Sequence, residues 1–240
     1  MEKEINKNIN VVYEDNHILV VIKPQNVPTQ SDASGDLDML NIVKNYVKEK
    51  YNKPGNVYVG LVHRLDRPTG GLMVFAKTSK AASRLSEQIK SEDFSKKYLA
   101  VCVGNIKNKQ NKLVNYLVKD EKLNIVSVCS QNEAGAKRAE LNYKVIETKK
   151  DSKNTLNLVE VELLTGRSHQ IRVQMAHIGN SLFGDVKYKG DIVKGYNLAL
   201  WAYSLKFTHP TTKQQLSFVC LPPENDTPWK FFDLKKLETI

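Results

Sequence analysis

Short runs of β-branched and aromatic residues, each bounded by turn-forming residues, recur along this sequence and restrict its fold more than any other feature. The first two runs, at 11–13 and 18–22, flank a polar stretch and predict a β-hairpin. Lys23-Pro24 should end the second strand, because proline cannot donate to a strand ladder. Further strands are predicted at 57–62, 72–76, 96–103, 113–118, 125–129, 137–147, 156–163, 198–207 and 216–221. The central group of these runs predicts an antiparallel meander.

Two segments have helical spacing instead. Asp36 or Asp38 could cap a helix that runs to about Lys50, after a polar surface loop at 25–36. Ser79 should begin a second helix that ends near Lys90. The apolar positions that share a face are Leu40, Val43, Val47 and Tyr51 in the first helix and Ala82, Leu85 and Ile89 in the second. Helices and antiparallel strands together predict an α+β fold.

A third helical pattern follows Thr165-Gly166. Ile171, Met175 and Ile178 recur at i, i+4 and i+7, Gly179 stands where a helix commonly ends, and Arg172 should flank the buried face. On such a helix Arg167 and Arg172 point about 140° apart, so they cannot serve one site from one face. One could contact phosphate at the helix start and the other could pair with a buried acid, or both could be solvated.

The composition indicates a globular chain. Of 240 residues, 41% are hydrophobic and 26% are charged, and no apolar run is long enough for a transmembrane helix. We expect a tail at 1–10 followed by one domain with two lobes at 11–240. No secretory signal is visible, and Cys102, Cys129 and Cys220 fit buried free thiols, so a cytoplasmic location is expected.

The charge balance is strongly basic. Lysine and arginine number 36 against 26 acids, which gives a net charge of +10. A nucleic acid is the partner that this charge favours first, and an anionic membrane surface the second. A lysine-rich host proteome is the alternative explanation, because net charge alone locates no binding patch.

The stretch at 63–71 carries the most distinctive chemistry. Asp66 lies between Arg64 and Arg67, and neighbouring cations should keep it ionised well below neutral pH. An anionic carboxylate suits a nucleophile, a base or an electrostatic stabiliser rather than a proton donor. The alternative is a charged turn before a strand.

Other sequence signals for chemistry are weaker. Tyr98 lies within a predicted strand, where packing is its commonest role, and Lys96 and Lys97 could be solvated or could contact phosphate. The sequence has no phosphate-binding glycine loop, no dinucleotide fingerprint, no H-E-x-x-H and no C-x-x-C. Its five histidines are scattered, so neither a metal nor a nucleotide cofactor is expected.

These segments in combination resemble the RluA-type RNA pseudouridine synthases. The segments that carry the resemblance are Tyr13-Glu14-Asp15, Leu19-Val20-Val21, Lys23-Pro24, His63-Arg64-Leu65-Asp66 with Thr69 and Gly71, Lys97-Tyr98 with Ala100, Gly166-Arg167-Ser168-His169-Gln170-Ile171-Arg172-Val173, and Gly184-Asp185 with Tyr188. They occur in the family's order and cover roughly residues 11 to 221. The resemblance implies a long, mixed, mostly antiparallel bent sheet, flanked by helices, with a central active-site cleft.

The resemblance also implies an activity and the residues that perform it. The family isomerises uridine within RNA to pseudouridine without cofactor or metal, and rRNA and tRNA are both candidate substrates. Asp66 would attack either the ribose or the uracil ring, Tyr98 would lie against the target base, and Arg172 would pair with Asp66. Arg64 would help displace the base from its stack. The other expected RNA-binding residues are His63, Arg67, Arg167, His169, Gln170 and Lys97.

The chain departs from the family pattern at three places. Gly70 replaces a serine, Gln174 replaces a histidine, and Asn180-Ser181 replaces histidine-proline. Loss of the serine hydroxyl at Gly70 could loosen the turn but removes no proposed catalytic group. We expect the other two changes to alter packing or substrate contacts rather than to abolish activity. The family's N-terminal S4 module is not expected here, so RNA affinity should come from the catalytic domain of a monomer.

Two rival functions remain at the level of sequence. The first is a non-catalytic RNA-binding or ribosome-assembly protein on the same fold, which would not need Asp66, Tyr98 and Arg172 together. The second is a nucleoside or glycoside hydrolase, whose usual signature is a pair of carboxylates. The motif around Asp66 offers only one carboxylate.

Overall fold

The computed structural model describes residues 9–91, 93–150, 154–188 and 195–237. The chain forms two compact units: unit 1 comprises residues 1–95 and 202–220, and unit 2 comprises residues 96–201 and 221–240. The strands are β1 (Asn10–Glu14), β2 (Ile18–Lys23), β3 (Gly60–Leu61), β4 (Gly70–Ala76), β5 (Ser95–Val103), β6 (Gln110–Asp120), β7 (Ile125–Cys129), β8 (Lys137–Lys150), β9 (Thr155–Leu163), β10 (Leu200–Thr208) and β11 (Gln215–Val219). The α-helices are α1 (Met39–Lys50), α2 (Ser79–Lys90) and α3 (Gln170–His177), and 3-10 turns lie at Trp229–Phe231 and Leu234–Leu237.

In unit 1 the strands lie side by side in the order β1-β2-β4-β10, with β3 on β4 and β11 on β10. The predicted hairpin of β1 and β2 is confirmed, and β2 pairs antiparallel with β4. Residues 70–76 are buried at every position, which explains why β4 reads as a continuous apolar run instead of an alternating one. Leu85 of α2 packs with Phe94 and Phe207 in the same core, so this helix covers one face of the strands.

The predicted first helix is confirmed with a different buried face. Asp38 caps α1 and accepts a hydrogen bond from the backbone N–H of Asn41 at 3.0 Å. The residues of α1 that are buried are Met39, Ile42, Val43 and Val47. Tyr51 is exposed because its hydroxyl instead donates to Glu14, at 2.8 Å.

Glu14 of β1 ties α1 to unit 1. Its carboxylate accepts hydrogen bonds from Tyr46, Lys50, Tyr51 and Lys77. Burial opposes ionisation of Glu14, but these four donors outweigh it and lower its pKa to about 2. The carboxylate therefore stays charged at any ordinary pH, which keeps the end of α1 attached.

Unit 2 contains the antiparallel series β5-β9-β8-β6-β7. The predicted meander is confirmed in its strands, although β8 pairs with β6 rather than with its sequence neighbour β7. Val173 of α3 packs against Leu117, Val126 and Ala139, so α3 lies on β6 and β7. Trp229 near the C-terminus is buried in the same unit.

Several sequence predictions need correction. Of the strand expected at 57–62, only the two residues of β3 pair, because the segment's neighbours are loop. Helix α3 begins at Gln170, so Arg167 precedes it and the predicted 140° separation of the two arginines does not apply. Ile178 is 38% exposed rather than part of a buried face. Cys102 is buried, but Cys129 and Cys220 are only half-buried free thiols.

Candidate active site

Asp66 lies on the loop that joins β3 to β4 in unit 1. The backbone carbonyl of Asp66 accepts a hydrogen bond from the N–H of Thr69 at 2.9 Å, which closes a tight turn. Leu65 on one side and Thr69 on the other are buried, whereas Asp66 itself is half-buried. The two buried residues therefore anchor the loop on either side of half-buried Asp66.

The segment after β2 holds this loop in place. The hydroxyl of Thr29 donates to the carbonyl of Leu65 at 2.7 Å and accepts from its N–H at 3.2 Å. The amide of Gln25 donates to the carbonyl of Pro68 at 3.0 Å. The polar segment 25–36 was expected to be a surface loop, but Thr29 is only 5% exposed because it is bonded into the Asp66 loop.

The side chain of Lys23 bonds to the backbone of the same loop. Its side chain is fully buried, and its ammonium donates to the carbonyls of Pro24, Val27 and Arg67 at 2.9, 2.6 and 3.0 Å. Burial lowers the pKa of Lys23 to about 7, the charge of Asp66 partly opposes this shift, and that of Arg67 adds to it. Lys23 is thus close enough to Asp66 for the two charges to interact, a role that the sequence did not reveal.

The other residues of the motif have distinct positions. Arg64 is exposed and makes no hydrogen bond or ion pair with any residue that the structure describes. Arg67 pairs with Asp36, lies 3.6 Å from Asp32 and donates to Ser34 at 2.9 Å. Of the two arginines, Arg64 is the one available to a ligand.

The side chain of His63 contacts β4 and the core of unit 1. Its Nε2 accepts a hydrogen bond from the N–H of Val74 at 3.1 Å, and its ring packs at 5.8 Å from the ring of Phe94. These contacts tie the start of the loop to β4 and to the core. They give His63 a structural role beside the RNA contact that was predicted for it.

Gly71 allows β4 to pass close to β10. Its φ is +116°, and a Cβ at this position would lie 2.3 Å from the carbonyl oxygen of Ala202. Only glycine tolerates both the backbone conformation and the close approach. The glycine of the motif is therefore required to place the end of the Asp66 loop.

Tyr98 lies in β5 of unit 2 and is 6% exposed. Side chains alternate along a strand, so Lys96 shares the face of Tyr98 and Lys97 lies on the opposite face. Burial lowers the pKa of Lys96, whereas Lys97 is 3.3 Å from Glu160. The lysine that accompanies Tyr98 is thus Lys96, although Lys97 was the predicted RNA contact.

The turn before α3 is organised by Gln170, which is buried. Its Oε1 accepts from the hydroxyl of Thr165 at 2.8 Å and from the N–H of Arg167 at 3.0 Å. Its Nε2 donates to the carbonyl of Glu140 at 3.0 Å. Gln170 therefore supports this turn, and Arg167 is exposed and donates to the carbonyl of Arg138 at 2.9 Å.

Arg172 is buried rather than flanking a buried face. Its Nε and Nη2 each donate to Asp185 at 2.7 Å, in a bidentate ion pair. A guanidinium has five N–H donors, and this pair uses two of them. The ring of Tyr188 lies 5.1 Å from the guanidinium carbon, and its hydroxyl lies 2.6 Å from Nδ1 of His169.

Two of the three departures from the family pattern, Gln174 and Asn180-Ser181, lie in unit 2 and have structural partners there. Gln174 is fully buried, and its Nε2 donates to Oδ1 of Asn115 at 2.8 Å. Asn180 donates to the carbonyl of Val103 at 3.2 Å, and the carbonyl of Ser181 accepts from the N–H of Val103 at 2.9 Å. Of the two effects expected from these substitutions, the structure therefore favours altered packing.

The sequence nominated residues in both units. Asp66, Arg64, His63 and Arg67 belong to unit 1, and the nominated residues of unit 2 are Tyr98, Lys97, Arg167, His169, Gln170 and Arg172. Sequence reasoning missed the buried contacts of Lys23, Thr29 and Asp185. Lys23 and Asp185 occurred in the motifs that carried the resemblance, but burial and pairing are not visible in a motif.

The described part of the chain contains neither a metal-ligand cluster nor a membrane-spanning helix. Among residues 9–91, 93–150, 154–188 and 195–237, no three histidine, cysteine or acidic side chains are grouped so that they could hold a metal ion. In the same described part of the chain, every helix is too short or too polar to cross a bilayer.

Known proteins resemble this chain in sequence and in structure. The RNA pseudouridylate synthase family matches residues 17–177. A ribosomal large subunit pseudouridine synthase D of Zymomonas mobilis is 33% identical over 233 residues, which are 90% of this chain and 70% of that protein. The mitochondrial tRNA pseudouridine(32) synthase of Saccharomyces cerevisiae is 35% identical over 196 residues, which are 79% of this chain and 39% of that protein.

The fold agrees with these sequence matches. The structure of human RNA pseudouridylate synthase domain containing 1 superposes with a TM-score of 0.75 at 23% identity, covering 98% of this chain and 94% of that one. The α+β class predicted from the sequence is confirmed. The chain spans 66–70% of the length of four bacterial relatives. Because the family matches more than half of the sequence and relatives above 30% identity align over most of it, the chain belongs to the RNA pseudouridylate synthase family, as its resemblance to the RluA-type members predicted.

Proposed function

We propose that this protein isomerises uridine to pseudouridine in structured RNA, with Asp66 as the nucleophile. The observation that carries the proposal is the Asp66 loop itself. Half-buried Asp66 lies in a fixed turn, the buried ammonium of Lys23 donates to the next carbonyl and interacts with the charge of Asp66, and exposed Arg64 is two residues away. Because the loop is bonded to the segment after β2, its geometry is preorganised before RNA arrives.

The reaction needs a base that has left its stack. Extruding a nucleotide costs a few kcal/mol, and a side chain that fills the vacated space offsets part of this cost. Arg64 fits this task because its exposed guanidinium makes no bond to any part of the chain that the structure describes. Arg64 also carries a positive charge toward the phosphates, which fixes the RNA near Asp66.

The isomerisation rearranges the atoms of one uridine and consumes no other reactant. The bond from N1 of uracil to C1′ of ribose breaks, the base turns, and a bond from C5 to C1′ forms. C5 loses its proton and N1 gains one, so substrate and product are isomers and no redox or group-transfer cofactor is required. Asp66 attacks either C1′ of the ribose or C6 of the uracil, and both versions use its anionic form.

The remaining roles rest on the family resemblance. We assign Tyr98 to the target base and to the removal of the C5 proton. A tyrosine hydroxyl with its ordinary pKa near ~10 is a weak base, so this role requires a desolvated position near cations. Lys96 lies on the same face of β5 as Tyr98, and the burial that lowers the pKa of Lys96 shows that this part of the face is desolvated. Arg172 is assigned as the ionic partner of Asp66.

The proposed substrates are rRNA or tRNA. Proteins with similar sequences are named for the ribosomal large subunit and for tRNA position 32. The net charge of +10 suits either polyanion. We further propose that the chain acts as a monomer in a reducing, cytoplasmic compartment, where its three thiols stay free.

The decisive experiment measures pseudouridine formation by wild type and by Asp66→Asn. Total rRNA and tRNA labelled with tritium at uridine C5 are incubated with each protein, and the tritium released to water is counted. We expect wild type to release tritium and Asp66→Asn to be slower by at least ~10³-fold. RNA binding by the variant should persist, because the substitution leaves the surrounding arginines in place.

Asp32→Asn is the matched control, because Asp32 is an exposed carboxylate near Arg67 in the same unit. It should retain full activity. Tritium release by Asp66→Asn at the rate of wild type would refute the nucleophile assignment. RNA binding by wild type without any release from either RNA would instead indicate the rival function, a non-catalytic RNA-binding protein.

A further inference from the structure

Tyr51 is an exposed aromatic residue that three lysines surround. It was expected on the buried face of α1, but the residue is 43% exposed. The ammonium of Lys77 lies 4.5 Å from the centre of the Tyr51 ring, and those of Lys50 and Lys53 each lie 5.8 Å from it. All three distances are within the range of a cation–π interaction. We call these four residues the Tyr51 patch, and all of them belong to unit 1.

The ring of Tyr51 is held through its hydroxyl. The hydroxyl donates to Glu14 at 2.8 Å and accepts from the ammonium of Lys77 at 3.1 Å. The side chain of Lys77 is only 7% exposed and donates to Glu14 at 2.7 Å, so this cation lies on the protein side of the ring. A ligand that meets the exposed part of the ring therefore does not have to order a free side chain, which would cost conformational entropy.

The backbone that carries the patch is fixed at the end of α1. The N–H of Tyr51 donates to the carbonyl of Val47 at 3.3 Å, and the N–H of Lys53 donates to the carbonyl of Lys48 at 3.0 Å. Between them Asn52 has a left-handed backbone, with φ of 46°, which is a common way for a helix to end. Tyr51 and Lys53 are therefore presented by a defined turn.

The Tyr51 patch keeps a positive charge that the fold does not neutralise. Lys50 and Lys77 share one carboxylate, that of Glu14. Lys53 is exposed and forms no ion pair within the part of the chain that the structure describes. One carboxylate cannot compensate three ammonium groups, so the patch favours a polyanion as its ligand.

The patch is separate from the Asp66 loop. The loop leads into β4, and Lys77 directly follows the last residue of this strand. The seven residues of β4 span about 20 Å at the usual rise of a strand. An RNA segment that binds at the patch is therefore not the target uridine itself.

We propose that the Tyr51 patch binds an unpaired nucleotide of the RNA outside the target uridine, with its base stacked on Tyr51 and a neighbouring phosphate on Lys53. An aromatic ring for the base and lysines for the backbone are the combination that binds single-stranded nucleic acids. Bases in a duplex are already stacked on one another, so the patch should discriminate against duplex RNA. The inference rests on the proposed function, because that function makes RNA the partner.

The test measures the affinity of wild type, Tyr51→Leu and Tyr51→Phe for a fluorescent oligoadenylate of about 12 nucleotides, alone and annealed to oligouridylate. Adenine cannot be isomerised to pseudouridine, so the single strand reports contacts other than those of the target base. Leucine removes the aromatic ring and should raise the Kd about 10-fold for the single strand but less than ~2-fold for the duplex. Phenylalanine keeps the ring and loses the bond to Glu14, so its Kd should stay near that of wild type.

A second variant tests the phosphate contact. Lys53→Gln should reduce the slope of log affinity against log salt for oligoadenylate by about 0.7, the value for one phosphate of a single strand. Because Lys53 is exposed and has no ion pair in the described chain, this variant keeps the proposal testable if Tyr51→Leu does not fold.

Tyr58→Leu is the matched control. Tyr58 is 50% exposed in the same unit, and no lysine or arginine of the described residues lies over its ring. It should bind the single strand and the duplex as wild type does. Thermal melting by circular dichroism checks that each variant is folded.

The outcomes separate the inference from the proposed function. Equal affinity of wild type and Tyr51→Leu for oligoadenylate refutes the patch alone, and so does an equal loss in Tyr51→Leu and Tyr51→Phe, which would assign the effect to the hydroxyl. Phosphatidylserine vesicles that bind wild type but not Tyr51→Leu, with oligoadenylate binding intact in both, would assign the patch to a membrane surface instead. Wild type that releases no tritium from rRNA or tRNA refutes the proposed function, whereas the comparison of variants still decides the patch.

Discussion

At the scale of single residues, burial strongly affects the charge of Lys23. The unfolded chain keeps the proton on Lys23 up to pH ~10.5, and the folded protein releases it near a pKa of about 7. Between these values the unfolded state binds more protons, so the stability contribution of Lys23 rises as the pH increases from 7 to 10.5. The interaction with Asp66 favours the charged form, so Asp66→Asn should lower the pKa of Lys23 further.

An NMR titration of the lysine Nζ signals in wild type and Asp66→Asn checks this prediction. Asp32→Asn again serves as the control, because Asp32 pairs with exposed Arg67 and is not among the groups that shift Lys23. A Lys23 pKa near ~10.5, or one that is the same in wild type and Asp66→Asn, would show that the two charges do not interact.

The sequence identifies reactive residues more easily than their supports. Asp66 could be nominated because two arginines flank it, a pattern that is visible in the chain itself. Lys23 could not, because lysine is almost never fully buried and nothing in Lys23-Pro24 indicates that three carbonyls surround the ammonium. The ion pair of Asp185 could not be predicted either, since its partner, Arg172, is 13 residues away in sequence.

At the scale of elements, the join between the Asp66 loop and β4 depends on Gly71. Gly71→Ala adds a methyl group that would lie 2.3 Å from the carbonyl oxygen of Ala202, on a backbone with φ of +116°. Strain of this kind costs about 1–3 kcal/mol, and the clash with backbone adds to it. We therefore expect the variant to lose at least ~2 kcal/mol of unfolding free energy. Urea denaturation of wild type and variant measures the loss.

Gly55→Ala is the matched control for Gly71→Ala. Gly55 also has a positive φ, of +78°, but an added Cβ would have no atom within 4 Å. Its cost should be limited to backbone strain, about 1 kcal/mol. If the two variants lose the same free energy, the close approach to Ala202 contributes nothing and the steric argument for Gly71 is wrong.

Elements whose caps and apolar spacing are both visible in the sequence were predicted well. Helix α2 begins and ends as expected, because Thr78 caps it and its apolar positions recur at helical spacing. The strand predicted at 57–62 failed because apolar residues do not reveal whether a partner strand lies beside them, and only β3 finds one, on β4. Helix α3 starts late because Gln170 bonds back to the preceding turn. The register of a strand and the identity of its partner strand depend on residues distant in sequence, so the spacing of apolar residues does not predict them.

At the scale of the whole molecule, the net charge of +10 favours a polyanionic partner, and the number of phosphate contacts should determine how RNA affinity responds to salt. Each phosphate contact releases condensed counterions, so the logarithm of the affinity falls linearly with that of the salt concentration. The charge could be counted from the sequence, but not which arginines are already neutralised within the protein. Arg67 pairs with Asp36 and lies near Asp32, whereas Arg64 has no partner in the described chain.

This difference predicts unequal effects for two neighbouring substitutions. Arg64→Gln should reduce the slope of log affinity against log salt by about 1, since one phosphate contact is lost. Arg67→Gln should change the slope much less, because its charge is offset by the adjacent acids. Filter-binding titrations of tRNA and rRNA across a range of potassium chloride concentrations measure both slopes. Equal changes would show that the acids do not neutralise Arg67 when RNA is bound, and that Arg64 has no privileged contact with the backbone.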